Sequence, residues 1–107
     1  MRIVAEAAKD KLAIGLRILD VSEVTDFTEY VVLCQGQTPL QNRAIADRII
    51  EALKEYDIIL SSLSGYRAAD WILVDYDSFV VHVFLPELHE FYRLDELYSG
   101  GRELLLD

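Results

Sequence analysis

A chain of 107 residues, 52% hydrophobic, is one domain with a single core, and none of its apolar runs approaches the ~20 residues of a membrane span. Its net charge of −9, from ten cations against nineteen acids, argues against a nucleic-acid backbone as the main partner, because that affinity rests on lysine and arginine; an acidic protein is steered toward basic surfaces instead. The single cysteine, Cys34, allows no internal disulfide and fits a reducing, cytoplasmic compartment.

In chain order, residues 2 to 14 place Ile3, Ala7, Ala8, Leu12 and Ile14 near helical spacing, which predicts an amphipathic helix ending at Gly15. Glu6 and Asp10, with no hydrophobic stretch, set this segment apart from signal and transit peptides. Leu16 to Val21 reads as a strand, residues 22 to 26 as a turn, and Glu29 to Gln35 as a second strand with Cys34 buried in it. Gly36-Gln37-Thr38-Pro39 opens a long helix, with Thr38 as N-cap and Pro39 in its first turn. Leu40, Ala44, Ile45, Ile49, Ala52 and Leu53 form its buried stripe. Ile58 to Leu63 reads as a third strand. Trp71 to Leu85 is a β-hairpin, and Pro86 to about Ser99 a helix. The domain is expected over residues 1–100, with 101–107 a loose tail. The order α-β-β-α-β-β-β-α around one sheet predicts a single layered α/β domain with a mixed sheet.

The hairpin carries the densest collection of unusual side chains. With Asp77 and Ser78 as turn residues, Tyr76 pairs with Phe79, Asp75 with Val80, Leu73 with His82 and Trp71 with Phe84. Alternation then puts Ile72, Val74, Tyr76, Phe79, Val81, Val83 and Leu85 on a core face. Trp71, Leu73, Asp75, Val80, His82 and Phe84 share the other face. There Asp75 and His82 are diagonal neighbours close enough for side chains to bridge. Two readings stand: a second buried layer with Asp75 and His82 as a satisfied polar pair, or an exposed recognition face in which Trp71 and Phe84 supply contact area.

Catalytic readings are weak. Gly36-Gln37-Thr38 lies where a strand enters a helix, a place that favours phosphate, and Asp75 and Asp77 form a D-x-D that could hold magnesium. A metal-dependent nucleotidyltransferase using Asp75 and Asp77 would need a further carboxylate on a neighbouring strand, and Asp77 already has a job in the turn. His82 and His89 stand without a cysteine pair, so no zinc site is expected. Cys34 and His82 lack an orienting third group. No cofactor, metal or catalytic residue is expected.

Trp71 to Tyr76, Phe79 to Phe84, and then Phe91, Tyr92, Leu94 and Leu97 resemble W-[IV]-L-[IL]-D-Y-G-[DS]-[VI]-V-V-H-[IV]-F followed by R-x-F-Y-x-L-E-x-L-W, motifs of the Iojap or ribosomal silencing factor family. Upstream, Ile18 to Val21, Phe27 to Thr38 and Gln41 to Asp47 are similar to its I-L-D-V, F-T-D-Y-F-V-I-C-[ST]-G-x-S and Q-x-x-A-I-A-D. The resemblance spans about residues 5 to 98. Asp77 replaces the usual glycine, His89 an arginine, Tyr98 a tryptophan, and Glu29 an aspartate.

The resemblance implies a fold like that of nucleotidyltransferases without the catalytic residues. It implies a homodimeric protein that binds the large ribosomal subunit through its fourteenth protein, a basic partner, with no direct reading of nucleic acid. By blocking the small subunit sterically, such a factor represses translation. Trp71, Asp75, Tyr76, His82, Phe84 and Tyr92 are the residues expected to form the recognition surface or its direct support, with Tyr76 a supporting core residue and His82 oriented by Asp75.

Overall fold

The β-branched and alternating runs assemble into one sheet. In the computed structural model, which describes residues 1–88 and 100–104, α1 spans Arg2–Asp10, β1 Ile14–Asp20, β2 Tyr30–Gln35, α2 Pro39–Lys54, β3 Ser62–Ser64, β4 Trp71–Asp75, β5 Phe79–Phe84 and β6 Arg102–Leu104. The strand order is β3-β4-β5-β2-β1-β6. Every neighbouring pair is antiparallel except β2 and β5. A parallel pair needs a long crossover, and α2 with β3 and β4 provides it. The molecule is therefore a single α/β domain with a mixed sheet, as its pattern predicts. Residues 86–88 are helical; the remainder of the expected last helix, with His89, Phe91, Tyr92, Leu94, Leu97 and Tyr98, lies outside the described residues.

Both long helices lie on one face of the sheet. Val4, Ala5, Ala7 and Ala8 of α1 and Ile45, Ala46, Ile49, Ala52 and Leu53 of α2 pack with Ile18, Val32, Ile72, Val74, Val81 and Val83 of the strands. The Cys34 thiol is sealed in this core, and burial pushes its pKa up to about 12, so it is an inert thiol. α2 begins as its sequence predicts: the Thr38 hydroxyl accepts a hydrogen bond from the Gln41 amide at 3.1 Å. Its buried stripe is rotated from the expected one. Leu40 is 71% exposed, and Asn42 is buried in its place, donating from Nδ2 to the Ala69 carbonyl at 2.7 Å.

Both helices stop where the chain bends into a left-handed residue. Leu12 has φ +63, its amide bonds the Lys9 carbonyl, and the Ala13 amide reaches back to Ala8. Asp57 has φ +61, with Asp57 bonded to Lys54 and Ile58 to Leu53. These paired bonds are the Schellman closure, made here without glycine. They correct two expectations. α1 ends at Asp10, and Gly15 (φ +62) instead accompanies the register shift between Ile14 and Arg17 in β1. Ile58 is used in closing α2, so β3 is shorter and later than the predicted 58–63 strand.

Residues 102–104, read from sequence as tail, pair with β1: Ile18 faces Leu104 and Asp20 faces Arg102. The hairpin has the predicted register, with Trp71 opposite Phe84, Leu73 opposite His82 and Asp75 opposite Val80.

Candidate functional site

The hairpin turn is built from Asp75 to Phe79. Tyr76 N–H donates to the Phe79 carbonyl, and Ser78 N–H to the Tyr76 carbonyl at 2.8 Å, a γ-turn centred on Asp77 at φ +68. Asp75 Oδ1 accepts the Asp77 amide at 2.9 Å, and Asp77 Oδ2 accepts the Ser61 hydroxyl at 2.8 Å. Glu29 and Tyr30 donate their amides to the Ser78 carbonyl, which fastens the turn to the chain entering β2.

Alternation settles the two faces of the hairpin. Ile72, Val74, Tyr76, Phe79, Val81 and Val83 are buried beneath the helices. Tyr76 stacks on Phe79 with centroids 4.7 Å apart, and burial raises its hydroxyl pKa to about 12. It supports the turn from below. The opposite face carries Trp71, Leu73, Asp75, Val80, His82 and Phe84, and neither α1 nor α2 packs on it. Phe84 is 1% exposed and joins Leu19, Val21, Val31 and Leu33 in a second, smaller apolar cluster, against which Trp71 and Val80 pack. His82 is 6% exposed, whereas Trp71, Leu73, Asp75 and Val80 are half-buried. The face thus combines the two readings that alternation left open: a buried floor and a partly open surface. Tyr92 lies outside the described residues.

One contact differs from expectation. His82 has two diagonal neighbours, and it meets Trp71 rather than Asp75. Trp71 Nε1 donates to His82 Nδ1 at 3.0 Å, with the rings 5.8 Å apart and tilted by 38°. A twisted ladder makes its two diagonals unequal, and the long indole spans the gap while the short Asp75 carboxylate is taken by the turn. Burial holds the His82 pKa down at about 4, so the ring is neutral at pH 7.

The partly open surface continues into a cleft of about 410 Å³ lined by Val24, Thr25, Phe27, Thr28, Leu73, Asp75, Val80 and His82. Phe27 is 92% exposed, the most exposed large apolar side chain among the described residues. Its amide donates to Thr25 Oγ1 at 3.2 Å, which shapes the loop that carries it. An adjoining hollow shares Thr25, Phe27 and Thr28 and adds Asp26, Glu29 and Asp77. Among the described residues lining the two, four carboxylates stand without a lysine or arginine. Phe27 is not among the site residues expected from sequence; its clues are its place at the head of the Phe27 to Thr38 motif and an aromatic set three residues ahead of a strand, among turn-forming residues.

The residues of the catalytic alternative are otherwise engaged. Asp75 Oδ1 is held by the Asp77 amide and Asp77 Oδ2 by the Ser61 hydroxyl, and no group of three or more His, Cys, Asp or Glu that could hold a metal occurs among the described residues. At the mouth of α2, Asn42 Oδ1 lies so close to Gly36 that a Cβ there would approach it to 2.2 Å. Gln41 spans the same corner, accepting from Gln37 N and donating to the Lys11 and Leu12 carbonyls. No helix among the described residues is long and apolar enough to cross a membrane.

Comparison with known proteins agrees with this geometry. A crystal structure of a Chromobacterium violaceum protein superposes with a TM-score of 0.89 at 28% identity, covering 98% of this chain and 87% of that one. The ribosomal silencing factor RsfS of Bacillus subtilis is 33% identical over 101 residues, 94% of this chain and 86% of its own. The RsfS of Zymomonas mobilis is 26% identical over 103 residues, 96% of this chain and 77% of its own. The family model described as "Ribosomal silencing factor during starvation" matches residues 1–106, and the chain belongs to that family.

Proposed function

We propose that this protein docks on the large ribosomal subunit through a basic ribosomal protein, the fourteenth of that subunit, and keeps the small subunit from joining. It represses translation by occupying space, so no residue acts as a catalyst. Its place of action is the cytoplasm, and it works as a homodimer. Family membership supports the ribosomal role. The observation that carries the docking surface is the cleft beside the hairpin. Val24, Phe27, Leu73 and Val80 give it apolar area, while Asp26, Glu29, Asp75 and Asp77 give it an acidic border. An apolar anchor bordered by carboxylates suits a basic partner: the anchor supplies affinity and the charges supply steering. Trp71 and Asp75 belong to the contact surface, His82 and Phe84 to its floor, and Tyr76 to its support.

Co-sedimentation with purified large subunits tests this reading through Phe27→Ala. The side chain is almost wholly in water, so its removal leaves the melting temperature unchanged. Binding is expected to weaken by about tenfold or more, as for a central aromatic anchor. A variant that binds like the parent places the contact elsewhere.

A further inference from the structure

We propose that His82 is a positioning residue: from its buried seat on β5, its Nδ1 atom accepts the Trp71 indole proton and holds the indole at one angle within the docking face. The proposal rests on the docking reading above, and it gives the histidine a role other than partner contact. At 6% exposed, its ring has little surface to offer a partner. The contact is directional. A 3.0 Å hydrogen bond joins rings tilted by 38°, so stacking of these two rings on each other does not set the angle.

The chemistry of the two rings fixes which proton is where. An indole N–H can only donate, so His82 Nδ1 must carry a lone pair and the imidazole proton sits on Nε2. An imidazolium has no acceptor and could not hold the indole. Burial keeps the ring neutral, which leaves that lone pair available at neutral pH. Trp71 itself is half-buried, packed against the second apolar cluster. A tryptophan held in its docking orientation beforehand loses less freedom on binding than one that must be ordered by the partner.

Trp71 is the chain's only tryptophan, so a single indole N–H resonance reports on it. His82→Asn puts an acceptor oxygen near the Nδ1 position. His82→Leu fills the space without an acceptor. The Asn variant is expected to keep the indole resonance and parental binding to large subunits. The Leu variant is expected to move the resonance upfield and to bind roughly three- to tenfold more weakly while keeping its far-ultraviolet dichroism. If the Leu variant does not fold, His82→Gln, whose oxygen reaches toward the Nε2 position, carries the same expectation. An unmoved indole resonance in the acceptor-free variant overturns the proposal, as does a moved resonance with parental affinity. Failure of the parent protein to sediment with large subunits sinks the docking reading instead, and the resonance comparison still decides whether Nδ1 sets the indole.

Discussion

Leu12 and Asp57 carry the left-handed backbone that closes the two helices, and they do not tolerate it equally. Aspartate visits that region more readily than a branched apolar residue does. Leu12 is 77% exposed, so its side chain gives little back in burial. Leu12→Gly relieves about 1–2 kcal/mol of backbone cost and loses part of it to the freer unfolded chain. Chemical denaturation should show a net gain of about 0.5–1 kcal/mol; a loss would mean that Leu12 packs usefully. His82 adds a pH dependence. Its folded pKa, about 4, lies below the ordinary 6.5, because burial penalises the charged ring. Between those values the unfolded chain takes up a proton that the folded chain refuses. Stability therefore falls as the pH drops from about 6.5 to about 4, by up to about 3 kcal/mol, and this contribution levels off below. Asp75 lines the same cleft. Comparing denaturation curves of the parent and His82→Asn isolates the histidine; equal slopes would contradict the assignment. At this scale the sequence was partly legible. Trp71, Asp75 and His82 announced themselves as polar or aromatic residues in an apolar run. Asn42 did not, because its burial depends on a carbonyl 27 residues away, at Ala69.

The hairpin is the element that sequence pattern described best. Alternation has a period of two, the turn has two residues, and a slip of one would have buried Asp75 and exposed Val74, so one register alone fits. The other elements show what such patterns miss. α1 and β3 were misplaced because no glycine marks either Schellman closure. β6 was not foreseen because Arg102-Glu103-Leu104 has no strand pattern of its own; its structure comes from pairing with β1. The turn itself gives a test. Asp77 at φ +68 occupies a place where glycine is usual in the family motif. Asp77→Gly loses the Ser61 hydrogen bond but gains backbone freedom in the folded turn, and stays within about 1 kcal/mol of the parent. Asp77→Val places a β-branched side chain in the left-handed region and costs about 2 kcal/mol or more. Equal stability of the two variants would show that the turn backbone adapts.

For the whole molecule, the sheet divides the labour. Two helices seal one face with a continuous apolar core, and the other face holds a small second cluster beside an open, acid-bordered cleft. The layered mixed α/β fold could be read from the order of elements. The cleft could not, because it forms where the loop around Phe27 meets the hairpin, and that meeting is fixed by the parallel pairing of β2 with β5. The net charge of −9 makes the proposed docking on a basic protein sensitive to ionic strength, since the border carboxylates are screened by salt. In the proposed mode of action the bound protein keeps the subunits apart. Purified small and large subunits, mixed under joining conditions and resolved on sucrose gradients, test it most directly. Added protein is predicted to reduce the joined particle in proportion to its occupancy of the large subunit. Joined particles that form undiminished while carrying the protein would rule out steric exclusion.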